Sequence, residues 1–193
     1  RAFRDQFGLT PDAVRTRGDV AGLPLLDPLR LETTSMPELS PPRFVAGKAM
    51  LVTGIGERYS HADKDGIPAQ WQRFGEVLAH VSAPVGKASY GVCCNGDDEG
   101  NFDYVCGVEV ADFSGLPKHF ARVRIPPHHY AVFTHRGDVS TLRRTITAIW
   151  DDWLPRSGIA LADGPNFELY GADFDPTRGT GTIEIWLPVQ RPS

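Results

Sequence analysis

Between residues 43 and 189 the order strand, helix, strand, strand can be read twice, and few folds accommodate such a repeat. The first copy predicts a strand region over about 43–56, a helix opened by Gly66-Ile67-Pro68 and ending near His80, and strands over 89–94 and 102–110. The second predicts a strand over 130–135, a helix over about 139–154, and strands over 166–170 and 182–189. Each unit has to cover the apolar face of its strands. The expected architecture is therefore α+β, with two similar halves sharing a joint antiparallel sheet and helices on one face.

The second helix has the sharper pattern. Leu142, Ile146, Ile149, Trp150, Trp153 and Leu154 fall on one stripe, Arg143, Arg144, Asp151 and Asp152 lie largely off it, and Pro155 is expected to end it. Trp153 reads as packing against the sheet. Trp71, near where the halves should meet, reads either as packing or as a pocket wall.

The closing strands carry the chemistry. Alternate residues of a strand point to opposite faces, so Glu184 and Trp186 share one face and Ile183, Ile185 and Leu187 the other. Glu168 and Tyr170 pair off in the same way. Two carboxylates and two aromatics on a common face predict a lined cavity. A buried carboxylate needs compensation, which an organic cation held between rings would supply through ion pairing and cation–π attraction. The alternative is that Glu184 or Glu168 caps backbone donors or pairs with an arginine. In the strand over 104–110, Tyr104 is expected to face the cavity and Glu109, on the opposite face, to be a surface or edge charge.

At 193 residues the chain suits one domain of about 150 residues with appendages. A formal charge of −4 provides no broad basic surface for gripping a nucleic-acid backbone. No apolar run approaches the roughly 18 residues of a membrane span, and a cytoplasmic location with no membrane partner is expected. Cys93, Cys94 and Cys106 lack the spacing of a disulfide framework or zinc site and read as small core or pocket-edge residues. His128 and His129 are adjacent and diverge, so with His135 they make a poor metal set; no metal and no cofactor are expected. No phosphate loop, dinucleotide fingerprint or nucleophile elbow occurs.

Arg1-Ala2-Phe3-Arg4 through Phe7-Gly8-Leu9-Thr10-Pro11 resembles the last part of the second helix-turn-helix of AraC-family transcription regulators, so residues 1–15 are expected to be the end of a DNA-binding region. Residues 16–42, with Pro24, Pro28, Pro37, Pro41 and Pro42, read as a linker. Over about 43–190, Ile67-Pro68-Ala69-Gln70-Trp71-Gln72-Arg73-Phe74, Tyr90-Gly91-Val92, Tyr104-Val105-Cys106-Gly107, Ile125-Pro126-Pro127-His128-His129-Tyr130, Ile149-Trp150-Asp151-Asp152-Trp153-Leu154-Pro155 and Glu184-Ile185-Trp186-Leu187-Pro188 resemble, in order, the motifs of the gyrase-inhibitor-like (GyrI-like) small-molecule-binding domain.

That resemblance implies duplicated β-α-β-β halves of the SHS2 type around a central ligand cavity lined by aromatics and at least one buried acid. With the alternation above, the expected ligand-binding set is Trp71, Tyr90, Tyr104, Glu168, Tyr170, Glu184 and Trp186. The expected function is effector sensing in an AraC-type regulator, with a small-molecule effector, DNA reached through the region upstream, and a homodimer admitted. Some relatives hydrolyse cyclopropane-containing natural products, which would make Glu168 and Glu184 a general base and acid if they converge. Passive sequestration of toxic compounds is the third reading.

Overall fold

The computed structural model describes Thr16 and residues 38–190 other than Ser82. Eight strands form one sheet: β1 (Arg43–Ala46), β2 (Met50–Ser60), β3 (Pro84–Cys94), β4 (Asn101–Val110), β5 (Ala121–Ile125), β6 (His129–Asp138), β7 (Asn166–Tyr170) and β8 (Thr180–Val189). Their order is β1-β6-β8-β7-β3-β4-β2-β5, and all neighbours run antiparallel. The halves meet at the β7–β3 seam. The expected duplication is present, with one addition: each half begins with a short strand that pairs with the other half. β1 lies on β6, and β5 lies on β2.

This exchange curls the sheet. β1 and β2 stand six places apart in strand order, about 29 Å if the sheet were flat. Four Cα steps from Ala46 to Met50 span at most about 15 Å. The connector from β5 to β6 faces the same constraint, and the two connectors touch where the Gly47 N–H donates to the His128 carbonyl at 2.8 Å. The concave face holds one apolar cluster drawn from both halves, including Val52, Tyr90, Val92, Val105, Tyr130, Val132 and Phe167.

The helices cover the other face. α1 (Ile67–Val77) packs Phe74 against Tyr104, Cys106 and Val108, and a 3₁₀ turn extends it to His80, as expected. Pro68 sits in its first turn, where a missing N–H costs nothing. Gln70 is fully buried and its Nε2 donates to the carbonyls of Ile55 (2.8 Å) and Tyr104 (2.9 Å), so it ties α1 to β2 and β4. Gln70→Leu loses both bonds and is expected to cost about 1–2 kcal/mol, read as a lower urea midpoint at unchanged m-value.

The second helix corrects the sequence reading. It comprises α2 (Leu142–Thr147), a π-helical stretch (Ala148–Trp153) and α3 (Leu154–Ser157). Pro155 does not end it; it occupies the first turn of α3, and Gly158 terminates the helix in the left-handed conformation. The wider π turn also shifts the stripe. Leu142 and Ile149 are buried and Trp153 meets Phe133 at 4.7 Å, whereas Trp150 is turned out to solvent, 36% exposed.

The expectations for residues 1–15 and for the linker as far as residue 37 lie outside the described residues, apart from Thr16. Among the described residues no helix is long and apolar enough to cross a membrane.

Candidate functional site

Glu168 sits on β7 directly across the seam from Gly91 of β3. One carboxylate oxygen, Oε2, accepts the Tyr104 hydroxyl at 2.7 Å and the Tyr170 hydroxyl at 2.9 Å. The Trp71 indole N–H donates to the Tyr104 oxygen at 3.1 Å, and the Trp71 ring meets Tyr170 edge-on at 4.7 Å. Tyr104 and Trp71 come from the first half, Glu168 and Tyr170 from the second. Trp71 packs against the apolar clusters of both halves, so it spans their junction.

Gly91 makes the arrangement possible. A Cβ there would stand 2.1 Å from the Tyr104 hydroxyl oxygen and 2.7 Å from Glu168 Oε2. The absent side chain is the space through which the tyrosine crosses β3 to reach the acid, a close approach that only glycine allows mid-strand.

Removal from water is the largest influence on Glu168 and holds its pKa above the usual carboxylate range; the hydroxyls of Tyr104 and Tyr170 and the more distant Lys64 oppose it. Burial likewise pushes both tyrosines well up, with the Glu168 charge adding to it, so they remain neutral donors. Cys93 and Cys106 share this face, and burial raises both thiols, which makes them inert neighbours, as their sequence context suggested. Among the described residues no cationic side chain lies within ion-pair distance of Glu168.

The expected common face for the two glutamates is not what forms. Phe167 is paired with Trp186 and Leu169 with Glu184, so Glu184 and Trp186 lie on the concave face and Glu168 and Tyr170 on the helix face. Within each strand the alternation holds; the register between strands, which periodicity does not specify, puts the acids on opposite sides. Glu184 pairs with Arg43 at 2.6 Å and accepts the Trp186 indole N–H at 3.0 Å, while the Arg43 guanidinium lies 5.4 Å from the Trp186 ring centre. A two-glutamate hydrolytic pair is therefore ruled out by geometry.

Of the seven expected residues, Trp71, Tyr104, Glu168 and Tyr170 come together, and Tyr90, Glu184 and Trp186 lie across the sheet from them. Tyr90 donates to Glu109 at 3.4 Å on the concave side, so Glu109 is a half-buried partner there and not a bare edge charge. His135 bonds Thr145 and the Asp138 carbonyl beneath the second helix. Gly91 and Gln70 escaped the sequence reading as site residues; a glycine amid Tyr90-Gly91-Val92 was the available signal for the first.

Residues 43–189 match the family of integron-associated effector binding proteins, Cass2. The chain belongs to this family. The expected effector-binding resemblance over the second part of the chain is thus borne out. To transcriptional regulator BrlR of Pseudomonas aeruginosa the chain is 30% identical over 151 residues, a match covering 76% of this chain and 54% of BrlR; the chain spans about half that relative's length. Its fold is shared with SAV2435, solved bound to tetraphenylphosphonium (TM-score 0.66, 22% identity, 78% of this chain and 94% of that one). The EcmrR C-terminal domain has it too (TM-score 0.57, 18% identity, 78% and 97%).

Proposed function

We propose that this domain senses lipophilic organic cations, which bind in the cleft between α1 and the second helix with their charge over Glu168. The observation that carries the reading is a withdrawn carboxylate, held by two phenols and flanked by rings, with no protein cation beside it among the described residues. Both hydroxyls donate to the same oxygen, a geometry that fixes the carboxylate without neutralising it. A bulky, weakly hydrated cation supplies the missing charge, and Trp71, Tyr104 and Tyr170 offer their faces to it.

The Trp71 ring packs against Tyr170, so a ligand entering there turns it aside. Because Gln70 ties the same helix to β2 and β4, displacement of Trp71 loads α1 and biases its position. In a regulator of the BrlR kind, that shift is the signal passed to a DNA-binding region. The likeness of residues 1–15 to an AraC-type helix-turn-helix makes such a region, joined through the proline-rich linker, the reading we favour over sequestration; the tetraphenylphosphonium bound to SAV2435 points to the ligand class.

Calorimetric titration with tetraphenylphosphonium tests this. Saturable binding that Trp71→Ala weakens about tenfold, from loss of a ring contact, supports the reading. Absence of binding, or indifference to Trp71→Ala, contradicts it.

A further inference from the structure

A hollow of about 370 Å³ opens on the concave face, on the far side of the sheet from Glu168, beneath the connector between β1 and β2. Its walls are rings. Phe167 stacks on Trp186 at 5.2 Å, Tyr130 meets both edge-on at 5.4 Å, and Tyr90 meets Phe167 at 6.0 Å. Glu109 lines the same hollow.

The two acids on this face differ. Glu184 is already paired with Arg43. Among the described residues Glu109 has no cation within ion-pair distance, and its side chain accepts only the long 3.4 Å contact from Tyr90. Burial pushes the Tyr90 phenol up to about 12, so it stays a neutral donor. Glu109 also differs from Glu168, one of whose oxygens is taken up by two phenols. It keeps acceptor positions open to directional N–H donors, whereas the Glu168 cleft suits a cation with diffuse charge.

We propose that this hollow is a second ligand site, taking a single aromatic ring that bears a protonated primary or secondary amine, with the ring among Tyr130, Phe167 and Trp186 and the ammonium on Glu109. The volume lies at the small end of ligand sites and suits one ring with a short chain. Ala46, Lys48 and Ala49, all exposed, form the lip through which it enters. The sheet backbone separates this site from Glu168, and the proposal stands independently of the function assigned to that residue.

The probe is 2-phenylethylammonium, titrated by calorimetry and followed through the indole ¹H–¹⁵N signals of Trp186 and Trp71, assigned with Trp→Phe variants. Saturable binding that moves the Trp186 signal and leaves Trp71 in place is expected. Glu109→Gln should weaken it about tenfold, from loss of a charge-assisted bond, while Glu168→Gln changes it by less than about twofold, the two sites sharing no partner. Lack of saturation, an equal affinity in Glu109→Gln, or a shift at Trp71 with loss in Glu168→Gln overturns the proposal. Tetraphenylphosphonium binding at Glu168 is unaffected by any of these outcomes.

Discussion

Glu168→Gln is expected to weaken tetraphenylphosphonium binding on the order of 100-fold while leaving a neutral lipophile of similar size within about threefold, since truncating one partner of a buried charge pair costs roughly 2–5 kcal/mol. The substitution keeps the shape of the side chain and its capacity to accept from Tyr104 and Tyr170, so it removes the charge alone. Stability should move the other way. A carboxyl whose folded pKa is raised contributes stability that is fully present below its unfolded pKa and is lost as pH rises through the folded value. Ionising the buried acid therefore works against the fold, and Glu168→Gln should melt at or above the wild-type temperature. Glu184→Gln is the control, because its acid belongs to a partly exposed pair with Arg43 on the opposite face. It should change cation affinity by less than about threefold, as befits a site with no shared partner. Comparable losses in both variants would place the cation elsewhere.

Gly91→Ala should be the most damaging single-methyl change in the domain's centre. The added carbon would overlap the Tyr104 hydroxyl at 2.1 Å and crowd Glu168 Oε2 at 2.7 Å. Tyr104 is only 2% exposed and has Trp71 bonded to its hydroxyl, so it has little room to retreat. Overpacking costs about 1–3 kcal/mol and the lost charge-assisted bond to Glu168 adds about 1.5–3 kcal/mol. A total near 4 kcal/mol lowers the melting temperature by roughly 10 °C for a domain of this size. Calorimetric melting measures the first effect and tetraphenylphosphonium titration the accompanying loss of binding. Combining Gly91→Ala with Tyr104→Phe should cost less than the sum of the two, because the phenylalanine has already surrendered the clashing oxygen. Strict additivity would show that Tyr104 does not cross above Gly91.

The concave face carries a smaller expectation of the opposite sign. Tyr130 is 1% exposed and its hydroxyl has no hydrogen-bond partner among the described residues. Tyr130→Phe removes an unsatisfied polar group and leaves the ring stack intact. It should stabilise the fold by about 1 kcal/mol, visible as a higher urea midpoint.

Much of the fold could be read from periodicity because most helices and strands here obey it. The strand at Asn166–Tyr170 falls where alternation puts it, and α1 begins where Gly66 and Pro68 say it should. β5 was missed although Ala121, Val123 and Ile125 alternate with Arg122 and Arg124; five residues beside a proline pair read easily as loop. The exchange of β1 and β5 between halves is a tertiary choice that no local pattern encodes. The site was half legible for a similar reason. Alternation correctly put Glu168 with Tyr170 and Glu184 with Trp186, but joining the pairs needed the β7–β8 register, fixed by the packing of Ile183 and Ile185 under the second helix. Trp71 and Tyr104 became partners of Glu168 through contacts spanning 64 residues of chain in the case of Tyr104.

The central claim is that an ionised Glu168 lies beneath the bound cation, and proton linkage tests it most directly. A cation favours the charged form of the acid beside it, so binding lowers the raised Glu168 pKa and expels a proton. Titrating tetraphenylphosphonium in buffers of different ionisation enthalpy, at pH values lowered stepwise from neutral, should show affinity falling and proton release rising toward about one per cation. The release should vanish in Glu168→Gln. Binding that ignores pH and buffer in the wild type, or a proton release that survives Glu168→Gln, would contradict the account.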